Sequence, residues 1–226
     1  MAATPLRPPT PKSWADSAVA RVVNPGAKYE TPMWDHLLMA DTKLTGSAGE
    51  HWVCSVLAAR GWTVALTRDG IAHTDILAVH PGPPRIPIEV QVKTASYGTG
   101  NWRVNRKAQE PSVPQVNEWF VFVQLAEPSW ASPTAYVVPR NHVRAMAHIA
   151  WLKYRTDPSL PTATLAKRNA DLNDTRLHAD PELHGYKNRW DLLSRPTNEA
   201  PWPSLLPLEF QEFIADFGLD WIDTLQ

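Results

Sequence analysis

A carboxylate, a carboxamide and an ammonium stand at alternate positions of one short stretch, as Glu89, Gln91 and Lys93. The residues between them are apolar, which is the period-2 pattern of a strand buried on one face. Side chains two positions apart on a strand lie roughly 7 Å apart. These three can therefore converge on one metal ion and one phosphate group. The alternative is that they form the solvated outer face of an ordinary antiparallel strand.

A further carboxylate is expected beside this polar row. The segment from His73 to Val79 is predicted to be a strand with Asp75 near its start. The turn-rich residues 80–85 join it to the next strand as a hairpin, so the two strands are neighbours. His73 lies two positions before Asp75, on the same face. It either contacts a phosphate or is a hydrogen-bonded residue at the strand end.

A helix before these strands supplies the last acidic candidate. Apolar residues at spacings of three and four predict a helix that ends at Arg60. Thr45 or Ser47 suits its N-cap, and Gly61 suits the position just past its end. Glu50 then lies near the start of the helix. The helix dipole favours a carboxylate there even without a catalytic role.

The order of these elements, with Glu50 on a helix, Asp75 on a strand and Q-x-K on the next strand, resembles the PD-(D/E)xK nuclease superfamily. That superfamily includes many restriction enzymes and Holliday-junction resolvases, and the resemblance covers residues 45–138. A glutamine at the acid position is similar to the Mrr-type branch. The resemblance implies an α/β fold with a restriction-endonuclease-like core of αβββαβ type, in which helices flank a mixed central sheet, and a C-terminal helical extension.

The resemblance also implies an activity, that of a metal-dependent endodeoxyribonuclease of restriction, repair or junction-resolving type. Asp75 matches the family's metal ligand, Glu50 the acid that assists the metal or its water, and Lys93 the lysine that contacts the phosphate or the attacking water. Gln91 would complete the metal shell with one negative charge fewer than an acid, and Glu89 is an accessory candidate. The implied cofactor is Mg²⁺, with Mn²⁺ as the alternative.

The charge distribution is uneven although the net charge is only -1. Residues 85–107 carry five cations and one acid, whereas the chain from Thr197 onward has acids and no cation. The first region is suited to DNA phosphates, although a solvated surface explains either charge run as well. The candidates for DNA binding besides Lys93 are Arg85, Arg103, Arg106 and Lys107.

A second function from a different class remains open. Gln91 and the near-zero net charge favour a catalytically inactive DNA-binding or protein-interaction module on the same fold. Asp75, Lys93 and Glu50 together favour the enzyme. The sequence does not decide whether the chain forms a homodimer.

The composition is that of a soluble globular protein, with 43% hydrophobic and 20% charged residues in a chain of 226. The single cysteine, Cys54, excludes an intramolecular disulfide, and neither a membrane span nor a signal peptide is expected. We therefore expect a cytoplasmic protein. It is expected to have a flexible arm with a short helix (1–31), a nuclease domain (32–193) and an amphipathic extension that packs on the core (194–226).

The remaining elements follow from apolar runs and turn residues. A loop is expected from Asp157 to the segment that begins at His184, where Trp190 packs on the core. The predicted strands are Trp62–Leu66, Trp102–Val104, a central one at Glu118–Leu125, and Thr134–Val138; the predicted helices run from Pro139 to Tyr154 and from Leu208 to Phe217.

Overall fold

A computed structural model describes residues 42–67, 74–104, 117–159, 175–201 and 204–217. The predicted N-terminal arm with its short helix, and His73, Arg106 and Lys107, lie outside these ranges. The strands are β1 (Thr63–Leu66), β2 (Ile76–His80), β3 (Ile86–Ala95), β4 (Asn101–Val104), β5 (Glu118–Gln124), β6 (Thr134–Pro139) and β7 (Thr175–His178). The helices are α1 (Thr42–Ala59), α2 (Arg140–Thr156) and α3 (Leu208–Phe217), with short 3-10 helices at His184–Tyr186, Trp190–Ser194 and Thr197–Glu199.

The main sheet contains five strands in the order β1-β2-β3-β5-β6, and β4 pairs with β7 in a separate two-stranded sheet. Strands β3 and β5 are parallel, whereas the other neighbours in the main sheet are antiparallel. A parallel pair needs a crossover connection, here residues 96–117, which contain β4. The prediction of an α/β fold with a mixed central sheet flanked by helices is confirmed.

Strand β5 is deeply buried, because residues 119–123 are all apolar and all buried. It lies between β3 and β6, as its uninterrupted apolar run predicts. Phe120 and Phe122 stack on one of its faces with ring centroids 5.7 Å apart. Trp102 of β4 packs against Phe122, and its indole nitrogen donates a hydrogen bond to the carbonyl of Val123. The small β4–β7 sheet is thereby fixed on this face of the main sheet.

Helix α1 begins earlier than the capping residues indicate. Its first residue is Thr42, so Thr45 and Ser47 lie within the helix, and Glu50 is in its middle rather than near its start. Residues 42–44 are exposed, and no burial pattern marks them as helical in the sequence. The helix ends at Ala59, one residue before the predicted end, and Gly61 has the predicted role just past it. Gly61 has a positive φ of 87°, and its amide donates to the carbonyl of Ala58, which closes the helix.

The position of α1 on the sheet depends on a glycine. Val53 and Leu57 are fully buried in the core beneath the helix. Gly49, one turn before Val53, lies against Thr94 of β3, and a Cβ at residue 49 would come within 1.9 Å of the Thr94 hydroxyl oxygen. A side chain at this position would therefore push the helix away from the strand.

Strand β7 is the main element that the sequence analysis missed. The chain after Asp157 was expected to be a loop as far as His184, but residues 175–178 pair with β4. This strand has only four residues, and two of them, Arg176 and His178, are polar and exposed. Its buried face consists of Thr175 and Leu177, which is too short a pattern to distinguish a strand from a loop.

The C-terminal helix α3 has the predicted bounds and contacts α2. Phe210 is buried, and the ammonium of Lys153 lies 4.6 Å from the centre of its ring. The same ammonium forms an ion pair with Glu209 at 3.4 Å. Trp190 is also buried, as predicted, and packs edge-on against Trp52 of α1.

Candidate active site

Asp75 immediately precedes β2 and is bonded to the main chain of β3 on both sides of Gln91. Its amide donates to the carbonyl of Val90 at 2.9 Å, and its carboxylate Oδ2 accepts from the amide of Val92 at 2.7 Å. The two bonds extend the pairing of β2 and β3 beyond the last paired residues. They hold the carboxylate next to the strand that carries Gln91 and Lys93, as the hairpin prediction requires.

The side chain of Glu89, near the middle of β3, is held by a hydrogen bond as well. Its Oε2 accepts a hydrogen bond of 2.7 Å from the hydroxyl of Thr74, which is itself buried. In the parallel ladder Glu89 pairs with Glu118, whose carboxylate forms an ion pair with Arg140 at the start of α2. The polar face of β3 thus continues onto β5 as a second acid with its own cation, which the sequence analysis did not identify.

Gln91 and Lys93 lie on the face of β3 opposite to the buried one. The apolar residues Ile88, Val90 and Val92 are buried, and the polar residues between them are partly exposed, as the alternation predicts. Lys93 reaches a cavity of about 320 Å³ between β3 and β4. The cavity is lined by Lys93, Thr94, Ala95, Thr99, Asn101, Trp102 and Arg103.

Glu50 approaches this end of the sheet from the other face. Its neighbour Gly49 packs on Thr94, and alternation along β3 places Thr94 on the face opposite to Gln91 and Lys93. Glu50 is half-buried on the flank of α1. Burial, and secondarily the charge of Glu50 one turn away, raise the pKa of the Cys54 thiol. Cys54 is only partly buried and is therefore a boundary residue of the core.

Asp75 and Gln91 offer the kinds of oxygen that a hard divalent cation prefers. Mg²⁺ binds oxygen ligands and is typically held by one or two carboxylates while it keeps several waters. Asp75 offers a carboxylate and Gln91 an amide oxygen, whereas the Glu50 carboxylate is on the other face of the sheet. Within the described ranges, no three His, Cys, Asp or Glu residues are grouped closely enough to hold a metal ion. A cation here would therefore depend on the amide of Gln91 and on water.

The predicted DNA-binding cations do not all lie together. Arg103 of β4 lines the Lys93 cavity. Arg85 is exposed in the loop before β3, about 26 Å from Lys93 at the rise of an extended strand, so it belongs to the opposite end of the sheet. Arg176 of β7 was not identified from the sequence, yet it pairs directly with Arg103. The short alternating run T-R-L-H is the only signal of its position.

Comparisons with known proteins give little guidance on function. No protein-family model matches the chain, and no curated protein matches it either. Among solved structures, it resembles the bacterial homing endonuclease I-Ssp6803I with a TM-score of 0.38 and 20% sequence identity, over 69% of this chain and 94% of that one. A likeness this low supports no conclusion about function. Among the described residues, no helix is both long and apolar enough to cross a membrane.

Proposed function

We propose that this chain is a metal-dependent endodeoxyribonuclease that hydrolyses phosphodiester bonds in DNA, with Mg²⁺ as its cofactor. One observation carries the proposal: the Asp75 carboxylate accepts a hydrogen bond from the amide of Val92, which lies between Gln91 and Lys93 on β3. A carboxylate, an amide oxygen and an ammonium are thus carried by two neighbouring strands. This is the combination that phosphodiester hydrolysis needs, because a cation and a phosphate must be held side by side.

Each side chain has a separate task in this proposal. Asp75 and Gln91 would hold the cation from two neighbouring strands, whereas Glu50, which approaches from the other face of the sheet, would not ligate it directly. A bound Mg²⁺ supplies a positive charge that polarises the phosphoryl oxygen and lowers the pKa of the attacking water. The hydrogen bond from Val92 fixes the orientation of the Asp75 carboxylate before any ligand arrives.

Lys93 would act on the phosphate rather than on the cation. Its ammonium has three donors, and the residue lines the cavity beside β4. In the reaction it would bind the non-bridging oxygens of the attacked phosphate or orient the water. Either role places a positive charge where negative charge develops in the transition state.

A second candidate is a catalytically inactive DNA-binding or protein-interaction module on the same fold. It is favoured by the neutral side chain of Gln91 and by the lack, within the described ranges, of a group of three His, Cys, Asp or Glu residues that could hold a metal ion. In this alternative the hydrogen bond of Asp75 to Val92 serves only to extend the sheet. The two functions differ in whether bound DNA is cut.

A cleavage experiment separates them. The protein is incubated with long duplex DNA of diverse sequence and with a four-way junction, in Mg²⁺, in Mn²⁺ or in a chelator, and strand breaks are counted on denaturing gels. We expect metal-dependent cleavage that is lost in Asp75→Asn and in Lys93→Met. DNA binding without cleavage by the parent protein supports the inactive module. Cleavage by Asp75→Asn at the rate of the parent contradicts the site.

A further inference from the structure

The two-stranded sheet of β4 and β7 presents two arginines side by side. Arg103 and Arg176 are directly opposite each other in the antiparallel register, and both are exposed. Residues paired in this way have Cα atoms about 4.5 to 5.5 Å apart and side chains on the same face. Two guanidinium groups therefore project from one small area of the surface.

The two arginine side chains point toward solvent because the residues next to them on each strand are buried against the main sheet. Their strand neighbours Trp102 and Leu177 are buried, and Trp102 packs on Phe122 and on Tyr136. The indole hydrogen bond to the main chain of Val123 holds β4 to the central strand. The opposite orientation of the small sheet would expose its apolar face to solvent, so the arginine face is the exposed one.

The arginine pair borders the candidate active site. Arg103 lines the cavity that contains Lys93, and so does Asn101. Arg176 donates a hydrogen bond of 3.2 Å to the Oδ1 of Asn101, which ties it to the same cavity wall. Arg176 also lines a second cavity of about 510 Å³, which Lys153 and Tyr154 share. Glu182 and Glu209 line that cavity as well. Cationic side chains thus continue from Lys93 to Arg103 and Arg176, whereas the second cavity is of mixed charge.

The guanidinium groups of Arg103 and Arg176 suit an anionic partner in their chemistry. His178, on the same face, interacts with Glu182 at the far end of the strand. Guanidinium groups match phosphate oxygens with paired hydrogen bonds, and arginine is for this reason the usual choice for a nucleic-acid backbone.

We propose that Arg176 and Arg103 bind the sugar-phosphate backbone of DNA beside the phosphate that Lys93 contacts. This inference rests on the proposed function, since it assigns a DNA-binding surface to the same site. Arg176 would supply a contact that positions the strand, and it would carry no base specificity because it meets the backbone alone. It would therefore strengthen binding to duplexes of any sequence.

The test compares Arg176→Ala with Arg176→Lys and with a matched control, Arg195→Ala. Arg195 is also exposed and lies just after the 3-10 helix whose Trp190 packs on Trp52 of α1. Binding of a fluorescent duplex of mixed sequence is measured in a chelator, so that no cleavage occurs, over a series of salt concentrations. We expect Arg176→Ala to lose roughly tenfold in affinity and its salt dependence to fall by about 0.9 in logarithmic slope.

The variants separate a phosphate contact from a structural effect. Arg176→Lys should retain the slope because it keeps the charge, and Arg195→Ala should bind like the parent. The melting temperature of Arg176→Ala should change little, because removal of a like-charged neighbour offsets the loss of the exposed hydrogen bond to Asn101. If the parent binds DNA and Arg176→Ala binds with the same affinity and slope, this inference is overturned while the proposed function stands. If the parent binds no DNA in any condition, both are overturned.

Discussion

The carboxylate of Asp75 accepts a hydrogen bond of 2.7 Å from the amide of Val92, across the gap between β2 and β3. Asp75 is therefore part of the sheet as well as a candidate metal ligand. Replacement of Asp75 by alanine removes a structural contact and a candidate ligand together, so the two effects must be separated by the choice of variant.

Asp75→Asn and Asp75→Ala should differ in stability. The asparagine amide oxygen can accept the Val92 hydrogen bond, whereas alanine leaves that amide without its acceptor. We expect Asp75→Ala to lower the free energy of unfolding by about 1 to 2 kcal/mol and Asp75→Asn to lower it by less. Urea denaturation of both variants measures the difference. Equal stability of Asp75→Ala and the parent would mean that the bond adds nothing to the fold.

Because α1 lies close to β3, we expect a substitution at Gly49 to destabilise the protein and a second substitution at Thr94 to restore most of the lost stability. A Cβ at residue 49 would overlap the Thr94 hydroxyl, so Gly49→Ala should cost about 1 to 3 kcal/mol of unfolding free energy. The Thr94 hydroxyl oxygen is buried and has no hydrogen-bond partner among the described residues, so Thr94→Ala removes the obstacle without breaking a bond seen there. The double variant should regain most of the loss.

Gly46 provides the control for this pair. It lies in the same helix with open space around its Cβ position, so Gly46→Ala should stabilise the protein by about 0.5 to 1 kcal/mol through helix propensity alone. A double-mutant cycle on residues 49 and 94, measured by denaturation, gives the coupling between them. Additive effects of the two substitutions would show that the helix does not pack on Thr94 in this way.

The sequence predicts the parts of this structure that have a sustained pattern. The alternation from Ile88 to Lys93 and the apolar run of β5 correctly indicate a half-buried strand and a central one. The glycine at residue 61 correctly marks the end of α1. These signals are strong because burial repeats over many residues, or because only glycine readily adopts the required φ.

Other features depend on contacts that no local pattern encodes. Strand β7 exists because Leu177 is buried opposite Trp102, and the partner strand is more than seventy residues away. The tight contact between Gly49 and Thr94 is equally nonlocal, since glycine within a helix gives no indication of its neighbour. The candidate site could be predicted from the sequence only in part. Its strand residues follow from alternation, but the hydrogen bond between Asp75 and Val92 and the face from which Glu50 approaches require the structure.

Because the imidazole of His142 is buried in its neutral form, we expect the protein to lose stability in mild acid. Burial lowers its pKa to about 3, and its imidazole is hydrogen-bonded to the hydroxyl of Tyr186 at 3.0 Å. The unfolded chain takes up a proton at this residue below its ordinary pKa of about 6.5, whereas the folded protein does not. Its contribution to stability is therefore complete above that pH and is lost as the pH falls toward 3. Between about pH 7 and pH 5 we expect a loss of about 2 kcal/mol from this group.

Urea denaturation at these two pH values measures the effect, with His142→Gln as the variant that cannot titrate. Glutamine keeps a polar partner for Tyr186, so the variant can fold, and its stability should fall less with pH than that of the parent. His148, whose pKa is also lowered by burial and then by Arg144, contributes in the same direction in both proteins. The exposed His51, changed to glutamine, is the control. A parent and His142→Gln with the same pH dependence would contradict the buried neutral state.

The metal site is tested most directly by calorimetric titration of the protein with Mn²⁺, because binding is independent of which DNA is cut. The parent should bind the ion, and Lys93→Met should bind it as well, since the ammonium acts on the phosphate. Gln91→Glu should bind more tightly, because a second carboxylate beside Asp75 attracts the cation. Asp75→Asn, which keeps the hydrogen bond to Val92, should lose binding. No binding by the parent, or equal binding by Asp75→Asn, would contradict the assignment of Asp75 and Gln91 as metal ligands.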